Sequence, residues 1–288
     1  MLTSDKKIAA FIGTSKNGTS FLVSNLAMIL AEMGVKTAIL DLTKNKNSYY
    51  IFTKNEEDLR KLAYSSFANL QRGIAQGINA NKNLSVYTSL PGENNNIIED
   101  INSIMPTLIR NYSVILLDCD FETPINYFSA SQEIYLVQSM DILTIQPLTY
   151  FLKELKNAGI DLDKKARIII NKEQKVKNLS KNAIMGGISS YNDPAMSYMT
   201  KLFDKDKIMN YSIPLDIEAG SKYLETLVTC ELSLAGYPKS FIDNLKRIAG
   251  VISPAKKGGY QKSSNNGYGS NNFSNNMNST LDEMKRKY

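Results

Sequence analysis

No histidine occurs among the 288 residues. A Ser-His-Asp triad, a Cys-His nucleophile pair and a zinc site built on imidazole are therefore excluded. Cysteine is scarce: Cys119 and Cys230 stand far apart with no metal-ligand spacing, and each reads as a buried structural thiol. No stretch is long and apolar enough to span a bilayer. The opening residues, "MLTSDKKIAAF", lack the layout of a signal peptide, so a cytoplasmic location is expected. No internal repeat is evident. The net charge of +6 is concentrated at one end. From Pro254 to Tyr288, Lys256, Lys257, Lys262, Lys285, Arg286 and Lys287 face Asp282 and Glu283, a net of +4, which leaves about +2 for the rest. Such a tail is weak evidence for nucleic acid, because a solvated basic tail is the commoner case.

What is present is an alternation of apolar runs and helical periods. "KIAAFIG" (7–13) reads as a buried strand. Residues 19–33 carry Leu22, Leu26, Ile29, Leu30 and Met33 at helical spacing and end at Gly34, and "KTAILDL" (36–42) is a second strand. Together they form a βαβ unit, which requires parallel strands and a right-handed crossover. Further strands are predicted at 84–90, 112–120, 133–139 and 166–172, and helices at about 56–78, 94–110, 144–158 and 239–251. Near-continuous apolar strands alternating with helices predict an α/β fold, a mostly parallel sheet with helices on both faces. One domain, 1–253, accounts for this pattern. Residues 254–288 are rich in Asn, Ser and Gly and cannot build a core. They read as a basic, disordered tail that ends in "STLDEMKRKY", where Thr280 and Glu283 have capping-box spacing.

The first strand runs into "GTSKNGTS" (13–20), with Gly13 and Gly18 at the G-x-x-x-x-G spacing of a phosphate-binding loop. Such a loop works because successive backbone N–H groups, opened out by glycine, face an anion from a helix N-terminus. A lysine then reaches the outer phosphates and a Ser or Thr hydroxyl holds Mg²⁺. Ser20 stands at the hydroxyl position, but Thr19 stands where the lysine is expected.

The order of segments around this loop resembles the ParA/MinD family of deviant Walker-type P-loop ATPases. The resemblance rests on Asn25-Leu26-Ala27 in the helix after the loop, on Asp41 at the end of the next strand, and on "NLSVYTSLPG" followed by "NYSVILLDCD". "ARIIINK" and "YSIPLD" (211–216) continue the match, so the likeness in order covers about residues 5–250. It implies a P-loop NTPase-like fold with ATP and Mg²⁺ as cofactors. Gly13, Thr14, Ser15, Lys16, Asn17, Gly18, Thr19 and Ser20 would take the phosphates, Asn171 would lie near the adenine, and Ser20 and Asp118 would hold the metal. Asp41 is the implied catalytic acid, in vestigial form. It also implies a homodimer and protein partners of an assembly, partition or secretion system, with recruitment to a membrane or pole by a partner. Binding to DNA through basic residues, including Lys164, Lys165 and Lys172, belongs to the same inheritance.

The departures fall at one place. The family pattern K-G-G-x-G-K-T lies on Thr14 to Ser20, so both lysines are replaced, the signature lysine by Thr14 and the loop lysine by Thr19. The acid two residues after Asp41 is replaced by Thr43. Phosphoryl transfer is mostly positioning and charge stabilisation, so these losses predict weak or absent hydrolysis, or an empty site. Three readings follow. The first is a degenerate member acting as a scaffold for spatial organisation, similar to the TadZ/CpaE pilus-localisation branch. The second is an active partition ATPase that dimerises on ATP and binds DNA through basic residues, with Lys16 as a substitute cation. The third is a relative of bacterial tyrosine kinases with Tyr260, Tyr268 and Tyr288 on the tail. Residues 182–199 are expected to form a surface loop and 218–241 a helical segment with a packing role only.

Overall fold

The computed structural model describes residues 6–92 and 100–253. The expectations for the tail and for the start of the 94–110 segment lie outside the described residues. In chain order the strands are β1 (Lys7–Ile12), β2 (Thr37–Asp41), β3 (Ile78–Asn81), β4 (Leu84–Tyr87), β5 (Val114–Cys119), β6 (Glu133–Gln138), β7 (Ala166–Glu173), β8 (Ser190–Asn192), β9 (Met199–Lys201) and β10 (Asn210–Pro214). The α-helices are α1 (Thr19–Glu32), α2 (Asn47–Phe52), α3 (Glu57–Gln71), α4 (Met105–Asn111), α5 (Ile125–Ala130), α6 (Ile145–Asn157), α7 (Leu162–Lys165), α8 (Lys181–Ile188), α9 (Ile217–Thr229) and α10 (Lys239–Ile252).

Eight strands form one sheet in the order β10-β7-β6-β1-β5-β2-β4-β3, parallel except for β3, which pairs antiparallel with β4. Alternate residues of each strand serve opposite faces. Ile8, Ala10 and Ile12 of β1 join one apolar layer with α4, α5, α6 and α8, while Ala9 and Phe11 join the other with α1, α3 and α10. Because both faces are covered, the central strands are almost continuously apolar, as the sequence predicts.

α1 is the most deeply buried helix, with every residue from Leu22 to Ala31 buried. The sheet covers one side of it; α10 and α2 cover the other. An aromatic cluster seals the outer contact: Phe21 lies 4.8 Å from Tyr223 and 5.4 Å from Phe241 between ring centroids. This packing fixes the N-terminus of α1 at the carboxyl ends of the strands, where open α/β sheets place their ligand sites.

Three predicted segments come out differently. The predicted helix at 94–110 contains, among the described residues, only a 3₁₀ turn at Ile101–Ser103 and the short α4, with Pro106 in its first turn. The helix at 56–78 stops at Gln71, so that Ile78–Asn81 becomes the antiparallel edge strand β3. The segment expected as a surface loop at 182–199 holds most of α8 and one strand of the β8–β9 hairpin. No helix among the described residues is long and apolar enough to cross a membrane.

Leu26 is fully buried at the centre of α1. Leu26→Ala is expected to lower stability by about 2–5 kcal/mol, measured by urea unfolding, because the crowded helix cannot collapse into the cavity.

Candidate nucleotide cleft

The loop after β1 is held by one buried amide. Asn17 is 1 % exposed. Its Nδ2 donates to Thr144 Oγ1 at 3.3 Å and to the Val137 carbonyl at 3.4 Å, and its Oδ1 accepts from Ser139 Oγ at 2.7 Å. The Asn17 carbonyl in turn accepts from Asn171 Nδ2 at 2.8 Å. The ends of β6 and β7 thus grip the loop from one side. Thr14 Oγ1 adds a bond to the Thr144 carbonyl at 2.9 Å, and Lys172 Nζ donates to the Lys16 carbonyl at 2.9 Å.

The two glycines are required by close approach. A Cβ on Gly13 would collide with the Val137 carbonyl, and one on Gly18, which has φ 88°, would lie 2.6 Å from Asn171 Nδ2. Lys16 also adopts a left-handed conformation, at φ 71°. α1 begins directly after Gly18 with no side-chain cap. Helix geometry leaves the N–H groups of its first turn without intrahelical acceptors, which is the electrostatic condition for holding an anion. The Thr19 hydroxyl is no substitute cation: Oγ1 is buried and without a hydrogen-bond partner.

The acids sit beside the loop through sheet register, Asp118 being paired with Phe11 of β1 and with Asp41 of β2. Their environments differ. Asp41 is fully buried and saturated: Oδ1 accepts from the Thr43 N–H at 3.1 Å and Thr43 Oγ1 at 2.7 Å, and Oδ2 from the Ser48 N–H at 2.9 Å and Thr88 Oγ1 at 3.1 Å. Asp118 is as deeply buried, yet neither carboxylate oxygen has a hydrogen bond of good geometry. Burial, and then the neighbouring Asp41, hold its carboxyl well above the usual carboxylate range, with the Ser20 hydroxyl beside it acting in the opposite sense. Ser20 Oγ accepts from Asn47 Nδ2 at 2.9 Å, which leaves its proton free to be donated. Asp120 is occupied in the turn after β5, accepting from the Lys44 N–H at 2.6 Å and the Glu122 N–H at 2.9 Å.

A cleft of about 540 Å³ opens over these groups. Of the residues named from the sequence, Gly13 to Lys16, Gly18 to Ser20 and Asp118 line it; Asn17 is the grip beneath it, and Asp41 lies outside the lining. An adjoining pocket of about 160 Å³, mostly apolar, shares Gly18, Phe21, Lys172 and Tyr223 with the cleft and includes Asn171, Pro214 and Leu215. The loop with its free N–H groups has the chemistry to take a polyanion, and the adjoining apolar slot the shape to take a flat ring. Among the described residues no group of three or more carboxylates and thiols gathers to hold a metal by itself. Asp118 with Ser20 supplies two oxygen donors, a set that suits Mg²⁺ when phosphate oxygens and water complete the shell.

Four contributors were not legible in the sequence. Tyr223 of α9, in a segment expected only to pack, lines both cavities. Thr144 and Ser139 clamp Asn17 from over 120 positions away. Lys46, at φ 50° before α2, is buried; its Nζ donates to the Asp41 carbonyl at 3.3 Å and lies 5.8 Å from the Phe67 ring centroid. Burial lowers its pKa, and Asp41, Asp120 and Asp118 oppose that shift. The three lysines considered for DNA are engaged within the chain. Lys164 pairs with Asp161 at 2.9 Å, Lys165 Nζ donates to the Ser129 carbonyl at 2.7 Å, and Lys172 holds the loop.

No protein-family profile matches the chain, and no curated protein matches it by sequence. Solved structures do match in fold. A ParA family ATPase from Chlorobium tepidum superposes with a TM-score of 0.64 at 17% identity, over 86% of this chain and 98% of that one. A chain of the MinC:MinD cell division protein complex of Aquifex aeolicus gives 0.60 at 16% identity, over 85% and 96%. A plasmid partition protein from Borrelia burgdorferi bound to AMPPNP gives 0.58 at 15% identity, over 84% and 98%. The fold is that of the ParA/MinD ATPases, as the resemblance in segment order implies.

Two substitutions test the site. Asn17→Ala removes the side-chain clamp and is expected to cost about 1–3 kcal/mol in urea unfolding, since Ser139, Thr144 and the Val137 carbonyl each lose a partner. Asp118→Asn relieves a buried carboxyl that lacks a hydrogen bond of good geometry and is expected to raise the melting temperature at pH 7 in Mg²⁺-free buffer by a few degrees, read by calorimetry. The sign follows from the raised folded-state pKa: ionisation above the unfolded carboxylate pKa costs the native state free energy, and the amide has no charge to desolvate.

Proposed function

We propose that this protein is a degenerate ParA/MinD-type scaffold that organises or positions other components, and that its cleft takes nucleotide with weak or absent hydrolysis. The carrying observation is that no cation stands at either lysine position of the family loop. Thr19 turns a buried hydroxyl where the family lysine stands, and the Thr14 hydroxyl is spent on the Thr144 carbonyl.

The residues present fit Mg²⁺ and a nucleoside triphosphate. The uncapped N-terminus of α1 and the glycine-opened loop form a cradle that a Cβ would fill, and Asp118 is a buried acid without a hydrogen-bonded partner. In this reading the backbone from Gly13 to Ser20 holds the phosphates, Ser20 and Asp118 hold the metal, and the pocket beside Asn171 and Pro214 takes the base. The metal supplies positive charge to the phosphates. Asp41 keeps the turn before α2 in place through the Ser48 N–H and Thr43, a positioning role rather than contact with substrate. Each preorganised group that stabilises developing charge is worth about 10²–10³ in rate. Two missing cations therefore put turnover about 10⁴-fold or more below that of a lysine-bearing relative. A homodimer and partner proteins of an assembly, partition or secretion system belong to this proposal, as does recruitment to a membrane or pole by a partner.

One observation favours the active partition ATPase as a second reading: Lys16 is exposed at the cleft, and Lys172 stands beside it. Calorimetric titration with ATP, with and without Mg²⁺, is expected to show metal-enhanced binding, and phosphate release from the same protein is expected to stay at background. Robust Mg²⁺-dependent release that disappears in Lys16→Ala would replace the first reading with the second.

A further inference from the structure

Among the described residues the sheet ends at β10, whose outer side has no strand partner. The register pairs Asn210 with Ile168 and Ser212 with Ile170, and the Ile168 N–H donates to the Met209 carbonyl at 3.0 Å. In a parallel ladder this phase commits the main-chain groups of Tyr211 and Ile213 to β7 and turns those of Asn210 and Ser212 outward. Pro214, at a register shift, ends the strand without an N–H to offer.

At this edge, between α8 and α10, lies a cavity of about 180 Å³ lined by Lys181, Asn210, Tyr211, Ser212, Asn244 and Arg247. Its lining is rich in donors: an ammonium, a guanidinium, two amides, a hydroxyl and the outward N–H of Ser212. No carboxylate among the described residues lines it. Lys181 Nζ is half-buried and 2.7 Å from Ser212 Oγ, so the cation is held against the cavity floor. Neither Lys181 nor Arg247 belongs to an ion pair among the described residues, although nine other cation–carboxylate contacts are formed elsewhere in the chain. Two cations that share a cavity repel one another, and an anion placed between them gains charge-assisted hydrogen bonds from both.

We propose that this edge cavity binds a phosphate-type oxyanion carried by a small molecule, at a site separate from the nucleotide cleft. Its volume is a third of that of the cleft, room for a single phosphate group and its water but not for a nucleoside triphosphate. Arg247 supplies the planar fork, Lys181 the point charge and Ser212 the main-chain N–H, a donor set that matches the tetrahedral oxygens of phosphate. A nucleic-acid backbone fits less well, because the donors converge in a recess at one point instead of running along a stripe.

The test is a titration of the ¹⁵N-labelled full chain with inorganic phosphate, followed by amide shifts. The Asn210 and Ser212 signals are expected to move and saturate on a curve of their own, distinct from any movement at Gly13 to Ser20. Arg247→Gln, at an exposed position that leaves the core intact, and Lys181→Gln are each expected to weaken the response about tenfold or more while the loop response stays unchanged. Three results would overturn the proposal: no movement at Asn210 or Ser212, movement that persists in the double variant, or a response to duplex DNA with none to inorganic phosphate.

Discussion

The geometry of the cleft depends on the hold that β6 and β7 keep on Asn17. A loop that carries two left-handed residues, Lys16 and Gly18, in a span of three has little conformational preference for the shape it adopts. It is kept there because the Asn17 side chain is buried and used at both ends, with Thr144 and Val137 accepting and Ser139 donating. An amide in that position satisfies its own polar atoms and those of its neighbours, where an apolar residue would leave the Ser139 hydroxyl without this acceptor. The cradle is therefore preorganised by the protein and does not need the ligand to shape it.

Electrostatically the site is one-sided. Two fully buried acids are adjacent in register, one saturated by hydrogen bonds and the other left without them. The cation buried near them, Lys46, lies behind the turn against the Asp41 carbonyl and Phe67 and is not part of the cleft lining. Positive charge at the cleft comes from Lys16, Lys44 and Lys172; Lys44 is paired with Glu122 at 2.9 Å and Lys172 is bonded to the loop. On the proposed reading, such a site takes phosphate and Mg²⁺ but has no fixed cation at the family lysine positions to stabilise charge during transfer, so binding and turnover come apart.

Much of the fold could be read from the chain because its signals are local. Apolar runs with both faces covered gave six of the parallel strands, and the helical spacing of Leu22, Leu26, Ile29 and Leu30 placed α1 within a residue. β10 and α9 were harder. β10 is a short edge strand with one apolar residue buried, Ile213, and α9 leaves Ile217, Leu224 and Val228 exposed, so neither has the pattern of a core element. β3 was missed at the end of an expected helix because its four residues, Ile-Asn-Ala-Asn, carry almost no strand signal and are held by pairing with β4.

The sequence by itself determined where the loop is and what it lacks. Glycine spacing, the preceding strand and the following helix are short-range features, and the identities of Thr14, Thr19 and Thr43 are simply letters in the chain. The tertiary structure decided what those residues do. Only the fold could show that Asp41 is consumed in a turn while Asp118 stands without a hydrogen bond, that Tyr223 reaches the cleft from α9, and that Asn171 clamps Asn17 as well as lining the apolar pocket. It also brought Lys181 and Arg247, from two helices, to one edge of the sheet. The reason is physical: hydrogen-bond saturation and burial are set by partners far along the chain, and no local pattern encodes which of two aspartates will find them.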